Sequence, residues 1–205
     1  MTTKKTKVRL GEISEIRSGL VLSRKRAGKG KGGVSYRELT FRAVNADGTV
    51  DTEKLDTFVA ADKLSADYLS RIGDVIVRLT TPYTAVLIDR ETADMVISSN
   101  FLIIRKMEKD ILPEYLFWLL NTERVKADIC RNATNNVLGT VRSEYFQRLI
   151  VETVPMERQM KIAGMNRLAR REVFLLNRLA QEKKSYYAAV IDRLQRGVVE
   201  DDGSK

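Results

Sequence analysis

The sequence predicts an α+β protein in which a mixed α/β domain over residues 1–155 precedes a single long C-terminal helix over residues 156–197. Short β-rich runs alternate with turn and helix signals throughout the first 155 residues. From Met156 to Arg196 there is no proline and only one glycine, Gly164. That stretch favours an uninterrupted helix of about 60 Å. The acidic tail at 198–205 is expected to be loose.

Local patterns predict each element of the domain. Leu10, Ile13 and Ile16 recur at helical spacing and Gly19 is a stop signal, which predicts an N-terminal helix. The other predictions, in order, are a β-rich run at 36–44, a turn at 45–48, a short helical segment at 62–70, a turn at 73–74, strands at 75–79 and 85–88 around a polar tip at 80–83, a strand region at 96–104, a helix from Pro113, a polar loop at 132–139, a short helix from Ser143 and a closing strand at 149–154.

Positive charge is concentrated at the N-terminal end of the chain. The 205 residues include 36 Lys+Arg and 27 Asp+Glu, a net charge of +9. Residues 1–37 hold eleven basic residues against two acids, which accounts for the whole excess. Charge concentrated in this way drives salt-dependent binding to nucleic acid, although a solvated solubilising arm has the same composition.

Composition excludes several classes of protein. The chain has no histidine and one cysteine, Cys130, so it can form neither an intrachain disulfide, nor a Cys/His zinc site, nor a histidine-dependent catalytic centre. Cys130 is expected to be structural. No run of eighteen apolar residues and no apolar leader is present, so we expect a cytoplasmic protein without membrane contact.

No motif in the chain predicts catalysis. The nearest approach to the base-holding loop of a DNA amino-methyltransferase is Thr81-Pro82-Tyr83, which lacks the acceptor residue and the first proline. Glu182-Lys183-Lys184 resembles part of a metal nuclease site, but residues two apart on a helix diverge. The sequence therefore predicts no catalytic residue, no metal and no cofactor of its own.

Candidate DNA contacts occur in three loops. Arginine and asparagine can form paired hydrogen bonds to base edges, whereas lysine and threonine suit phosphates. For each residue alone, an ordinary surface loop is the favoured interpretation, and only convergence on one face would make a recognition surface. The candidates are Arg24, Lys25, Arg26, Lys29 and Lys31 in a glycine-rich loop interpreted as mobile, Arg78, Thr80, Thr81 and Tyr83 at the strand tip, and Asn135 and Asn136 in the polar loop.

The long helix carries an imperfect heptad pattern that suits a partner helix. Polar residues interrupt the apolar seam, and such interruptions often specify register or orientation. Folding back of the helix on its own domain is the alternative, although a helix this long exceeds a domain of 155 residues. The residues expected at the dimer or partner interface are Ile162, Met165, Asn166, Ala169, Val173, Leu176, Leu179, Ala180, Lys183, Tyr187, Val190 and Leu194.

Five short motifs occur in an order and spacing typical of one known family. They are Leu10-Gly11-Glu12-Ile13, Gly73-Asp74-Val75-Ile76-Val77, Ser99-Asn100-Phe101, Pro113-Glu114-Tyr115-Leu116 and Val154-Pro155-Met156-Glu157-Arg158-Gln159-Met160-Lys161-Ile162. The last is similar to a P-P-L-x-E-Q-x-x-I motif that opens a long helix, with one of the two prolines missing and Arg158 in place of the acid. Over nearly its whole length, the chain resembles half of the DNA-specificity (S) subunit of type I restriction–modification systems.

This resemblance implies a division of labour between subunits. In the family, each target recognition domain reads half of a split DNA site, and the long helices pack antiparallel. A half-subunit is expected to form a homodimer with an antiparallel coiled coil and to read an inverted repeat in double-stranded DNA. Methyltransferase (M) subunits, which bind S-adenosylmethionine and modify adenine, and restriction (R) subunits are the expected partners. A stand-alone dimeric DNA-binding regulator and a structural adaptor remain alternatives, whereas the missing motifs oppose a self-contained modifying enzyme.

Overall fold

The computed structural model describes residues 6–28, 30, 32–105, 107, 110–133 and 139–196. The strands are β1 (Thr6–Arg9), β2 (Glu15–Ser18), β3 (Val34–Leu39), β4 (Asp56–Ala60), β5 (Val75–Arg78), β6 (Ala85–Leu87), β7 (Val96–Ile97), β8 (Phe101–Arg105) and β9 (Ile150–Thr153). The helices are α1 (Leu10–Ile13), α2 (Pro113–Leu120), α3 (Glu123–Arg131), α4 (Ser143–Arg148) and α5 (Met156–Gln195). The predicted α+β organisation with a long C-terminal helix is confirmed. The chain divides into two compact units, with the boundary between Ala163 and Gly164.

An antiparallel sheet with the strand order β2-β8-β5-β6 forms the centre of the first unit. Alternate residues of its strands enter two different hydrophobic clusters: Val75 and Val77 pack towards α2, α3 and α4, while Ile76 and Ile103 pack on the opposite face. Ile76 and Ile103 are also direct partners across β5 and β8. Burial on both faces explains why these strands read as continuous apolar runs instead of alternating ones.

A second sheet has the order β4-β3-β7, with β3 antiparallel to β4 and parallel to β7. Its cluster centres on Phe58, Leu20 and Leu64. Two predictions hold only in part here. The strand predicted over 36–44 ends at Leu39 and continues as the 3-10 turn Phe41–Ala43, and the helical segment predicted at 62–70 contains only the 3-10 turn Ala66–Tyr68. The predicted turns at 45–48 and 73–74 are present.

The N-terminal helix predicted from Leu10 to Gly19 is wrong beyond its first turn. Strand β1 pairs antiparallel with β9, and β2 pairs antiparallel with β8, so Ile16 lies opposite Ile104 in a sheet. Strand pairing with distant segments therefore overrides the local helical spacing. Gly19 is a point of close approach, because a Cβ atom there would collide with the carbonyl oxygen of Ser98.

Asp74, which follows Gly73, lies in a buried ion pair. The glycine has a φ of +87° in the turn that leads into β5. The carboxylate of Asp74 accepts hydrogen bonds from Arg105 Nη2 at 2.6 Å and Nε at 3.1 Å, and both side chains are 3% exposed. Arg105 Nη2 also donates to the carbonyl of Leu69. The pair joins the start of β5 to the end of β8, and its hydrogen-bonding groups are satisfied without water.

Helix α2 starts at Pro113 as predicted, and it ties two parts of the unit together. The Tyr115 hydroxyl donates to the carbonyl of Glu152 at 2.7 Å. At the other end, the Asn121 side chain accepts from Ala85 N at 3.1 Å and donates to Ala85 O at 3.0 Å. Helix α3 follows without having been predicted. Cys130 on α3 is exposed and lies outside the buried core.

The start of α5 is fixed by Gln159, which is fully buried. Its Oε1 accepts from Leu112 N at 2.9 Å, while its Nε2 donates to the carbonyls of Asp110 and Val154 at 2.7 and 2.8 Å. Three segments of the first unit therefore meet at one amide. Helix α5 continues without a break to Gln195. None of the helices in the described ranges is long and apolar enough to cross a membrane.

Candidate nucleic-acid interface

The polar tip between β5 and β6 is a tight turn. Tyr83 N donates to the carbonyl of Thr80 at 2.9 Å, and Tyr83 has a φ of 56°. Thr81 and Pro82 are exposed, and Thr80 is half-buried. The turn therefore presents a threonine hydroxyl at the end of a rigid hairpin, which is a suitable donor to a phosphate oxygen.

Tyr83 is not available at this surface. Its ring is 4% exposed and belongs to the main core cluster. Its hydroxyl donates to the carbonyl of Gly139 at 2.7 Å, and the neighbouring Leu79 carbonyl accepts from Val141 N at 2.9 Å. These bonds attach the segment that precedes α4 to the hairpin. We therefore assign Tyr83 a structural role and leave it out of the interface, because a buried aromatic ring and a bonded hydroxyl cannot contact DNA.

Arg78 is held in place by an aromatic ring and a hydroxyl. Its guanidinium carbon lies 3.9 Å from the centroid of the Phe41 ring, within the range of a cation–π interaction. Its Nε donates to Thr80 Oγ1 at 3.0 Å. The side chain is half-buried, and this burial lowers the pKa of the Arg78 guanidinium from its ordinary value. The arginine remains charged, because the ordinary pKa lies far above neutral pH.

The basic segment at Arg24, Lys25 and Arg26 is attached to β4. The Lys25 carbonyl accepts from Ala61 N at 2.9 Å, and Arg26 forms an isolated bridge with Ala60. The Arg26 guanidinium lies 5.1 Å from the centroid of the Phe58 ring. All three basic side chains are exposed. This part of the predicted mobile loop is therefore fixed to a strand, and its charge has a defined place on the surface.

The structure brings together some of the predicted contacts. Thr80 and Thr81 lie beside the segment 139–141, whereas Arg24, Lys25 and Arg26 lie at the edge of the other sheet. Four predicted contacts, Lys29, Lys31, Asn135 and Asn136, lie outside the described residues. Phe41 was missed, because an aromatic residue just after a strand carries no sequence signal that an arginine of another strand will stack on it.

The described residues hold no cluster of three or more His, Cys, Asp or Glu side chains that could bind a metal ion. The acidic side chains near the interface form ion pairs with arginines, such as Asp56 with Arg42 at 2.7 Å and Asp67 with Arg17 at 3.0 Å. Burial is the main cause that raises the pKa of the Glu38 carboxyl, and the charge of Asp56 raises it further. These groups shape the electrostatic surface of the domain.

The second unit presents an apolar helix face. Leu176, Tyr187 and Leu194 are all more than half exposed. The face is wider than the predicted seam, because Leu168, Leu175 and Ile191 are exposed as well. The other seam residues of this unit divide into the exposed Met165, Ala169, Val173, Leu179, Ala180 and Lys183 and the half-buried Asn166 and Val190.

Ile162 has a different environment from the rest of the predicted seam. It belongs to the first unit and packs against the main core cluster beside Gln159. Its contribution is therefore to anchor the start of α5, and we do not include it in the proposed helix interface.

Comparison with solved structures identifies the architecture. The chain matches the HsdS subunit from Thermoanaerobacter tengcongensis with a TM-score of 0.63 and 18% identity, over 98% of this chain and 51% of that one. It matches a chain from a structure concerned with complex assembly and conformational transition of the type I R-M system with a TM-score of 0.66 and 18% identity, over 100% and 52%. The chain has the fold of half a type I specificity subunit.

A third match has the same character. The type I restriction-modification S subunit from M. genitalium aligns with a TM-score of 0.59 and 12% identity, over 94% of this chain and 46% of that one. The chain thus spans about half the length of the subunits it matches. No protein-family model matches the sequence, and no curated protein matches it. The resemblance inferred from motif order is confirmed at the level of the fold.

Proposed function

We propose that this chain is a non-catalytic DNA-specificity subunit of a type I restriction–modification complex, acting as a half-subunit. The observation that carries the proposal is the combination of one α+β domain with one long helix, in the fold of half an S subunit. In this role the domain reads one half of a split DNA site, and the helix joins it to a second half. Its place of action is the cytoplasm, where the DNA is.

The helix provides the means of association. Two copies of residues 164–195 pack antiparallel as a coiled coil, with the apolar face of one covering that of the other. Each leucine that becomes fully buried contributes about 1.5–3 kcal/mol. Leu176, Leu179 and Leu194 are at least half exposed in the single chain, so this stabilisation is still to be gained. The resulting two-fold symmetry matches an inverted repeat.

The domain provides the contact with double-stranded DNA. Arg24, Lys25 and Arg26 are exposed on a fixed segment and suit the phosphate backbone. Thr80 and Thr81 lie on the hairpin tip beside Arg78, where hydroxyl donors can fix the register of the domain on the duplex. The proposed contacts to the DNA backbone thus come from two different sheets of the same unit.

The chemistry belongs to partner subunits. M subunits bind S-adenosylmethionine and methylate adenine, and R subunits cleave, while this chain chooses where they act. The apolar face that extends to Leu168, Leu175 and Ile191 gives the helix pair additional surface for docking an M subunit. No cofactor is assigned to this chain itself.

Co-expression with a type I M subunit, followed by mapping of methylated adenines in the host genome, tests the proposal. We expect a bipartite palindromic mark that disappears when the chain is omitted. An asymmetric mark would show that a different second half completes the site. Stable dimers that bind DNA but never co-purify with the M subunit would favour a regulator.

Binding measured against salt concentration separates DNA recognition from the adaptor alternative. We expect the logarithm of the binding constant for duplex DNA to fall steeply with the logarithm of salt concentration. The double variant Arg24→Ala/Lys25→Ala should reduce this slope by about one unit per lost phosphate contact. Replacing Lys184 on the exposed helix by alanine is the matched control and should leave the slope unchanged. Binding that is absent, or insensitive to salt, would contradict the proposal.

A further inference from the structure

The arginines of the first unit that have defined partners fall into two groups. Arg17, Arg42 and Arg105 each form an ion pair with a carboxylate, at 3.0, 2.7 and 2.6 Å. Their charges are neutralised locally, and they stabilise the fold. Arg37 has no carboxylate partner among the described residues, but both of its terminal nitrogens donate to the backbone carbonyls of Glu91 and Ala93. Arg78 is likewise fixed without an acidic partner among the described residues, but only by a ring and a hydroxyl. Its position therefore needs an explanation other than charge pairing.

Among the described residues, one edge of the Arg78 guanidinium has no hydrogen-bond partner. Phe41 covers one face, and Thr80 Oγ1 accepts from Nε. Within the described part of the chain, Nη1 and Nη2 have no hydrogen-bond partner. Phe41 is itself supported by Phe101, with ring centroids 5.3 Å apart, and Phe101 is 1% exposed. The aromatic support under the guanidinium is thus anchored in the core.

This arrangement is suited to reading a base edge. An arginine that uses its two terminal nitrogens together matches O6 and N7 of guanine in the major groove, which is the commonest specific contact between proteins and DNA. A long flexible side chain normally loses rotamer entropy on binding, and prior ordering reduces that cost. Stacking on Phe41 and the bond to Thr80 provide the ordering. Lysine cannot replace such an arginine, because it lacks the planar fork.

We propose that Arg78 reads a guanine in each half-site, and that Phe41 and Thr80 are positioning residues that hold its guanidinium in the reading orientation. This inference rests on the proposed function. It separates Arg78 from Arg24 and Lys25, whose exposed side chains bind phosphates without reading sequence.

The test starts from the sequences that the full chain selects from a pool of random DNA duplexes. Wild type should enrich a guanine at one position of each half-site. Arg78→Lys keeps the positive charge and should lower the preference at that position about tenfold, while other positions are unchanged. Phe41→Leu should lower the same preference by a smaller factor. Arg24→Ala is the control and should weaken binding to all sequences equally.

A modified base gives a second readout, whose main comparison uses the wild-type protein alone. Replacing the selected guanine by 7-deazaguanine removes the N7 acceptor and should weaken wild-type binding by several-fold, with no further loss for Arg78→Lys. Unchanged thermal unfolding of Arg78→Lys shows that its fold is intact.

The possible outcomes distinguish the two proposals. If wild type selects a sequence and Arg78→Lys selects the same one with the same preference, the guanine-reading role is wrong and the proposed function stands. A loss that is equal for all sequences would mean that Arg78 binds phosphate, which also overturns the inference. If wild type selects no sequence at all, the proposed function fails and the inference fails with it.

Discussion

The two units of the chain differ in how far their apolar side chains are exposed to solvent. In the first unit, Phe58, Ile76 and Phe146 are completely or almost completely removed from solvent. In the second, Leu176 and Leu194 remain 58% and 67% exposed on a continuous helix. Helical stability in proteins comes mostly from packing of an apolar face. The first unit therefore contains the contacts that stabilise it, whereas the second presents contacts that a partner must complete.

Polar groups show the same contrast. The first unit contains buried polar groups with full sets of partners, such as Asp74 with Arg105 and the amide of Gln159. In the second unit, the pair of Asp192 near the end of α5 with Arg196 just after it is exposed to water. Removing a buried partner is costly, while removing an exposed one changes little. Four substitutions test how far this contrast extends.

The largest effect is expected for Asp74→Ala. It leaves the Arg105 guanidinium buried without its counter-charge, so the free energy of unfolding should fall by about 4 kcal/mol. Urea denaturation of the full chain measures this loss. Asp56→Ala is the matched control, because its partner Arg42 is 72% exposed and the loss should stay near 0.5 kcal/mol. Equal losses for the two variants would contradict the distinction between buried and exposed pairs.

Gln159→Met comes next. The apolar side chain fills a similar volume but leaves Leu112 N and the carbonyls of Asp110 and Val154 without their bonds. We expect the free energy of unfolding to fall by about 3 kcal/mol. Gln181→Met makes the same chemical change at an exposed position of α5 and should be nearly neutral. A neutral result for Gln159→Met would mean that the buried amide is not needed to fix the start of the helix.

Leu176→Ala is expected to act on association instead of domain stability. If α5 pairs with a second copy, each copy loses about 2 kcal/mol of buried apolar contact, so the dimer dissociates at higher concentration. Sedimentation velocity over a concentration series measures the shift. Arg178→Ala, an exposed polar change two residues away, is the control. Loss of unfolding free energy without any change in association would place Leu176 in an intrachain contact.

Tyr145→Phe should give the smallest change in the free energy of unfolding, and this change should depend on pH. The Tyr145 hydroxyl donates to Asp128 Oδ2 at 2.6 Å, and this bond is the main cause that lowers the pKa of the Asp128 carboxyl below its ordinary value of 3.8. A carboxyl with a lowered folded pKa stabilises the fold above its unfolded pKa, and this contribution is lost as pH falls through the folded pKa. The side chain of Asp128 is 42% exposed, so water screens much of the effect.

Acid denaturation of wild type and Tyr145→Phe measures this contribution. The stability difference between them should be present at neutral pH and should shrink below about pH 4. Tyr68→Phe, at a tyrosine with no charged partner among the described residues, is the control for loss of a hydroxyl. A difference that stays constant down to the acid limit would show that protonation of Asp128 is not involved.

Sequence patterns predicted the elements whose signals are local. Pro113 at the start of α2, the hairpin of β5 and β6, and the absence of helix breakers in α5 are all readable from neighbouring residues. Pairing between distant segments was not readable. Strand β1 was not predicted, because nothing near it in the sequence reveals that its partner is β9 at the other end of the domain.

The candidate interface shows the same limit. Arg24, Lys25 and Arg26 were predicted from charge and are exposed in the structure. Tyr83 was predicted to contact DNA because of its place at a polar tip, but its hydroxyl donates a hydrogen bond to the carbonyl of Gly139, 56 residues further along the chain. Phe41 was not considered, since only the folded chain brings its ring beneath Arg78. Residue type therefore suggested the chemistry, and tertiary contacts decided which side chains can perform it.

The contact between Asn121 and Ala85 affects more than the end of one helix. Strand β6 is the outermost strand of its sheet, and the amide of Asn121 bonds to both backbone groups of Ala85. An outer strand with free backbone groups is a template on which foreign chains can polymerise. By imitating a neighbouring strand, the Asn121 side chain occupies both backbone groups of Ala85, and so removes one point at which a foreign strand could pair with this edge.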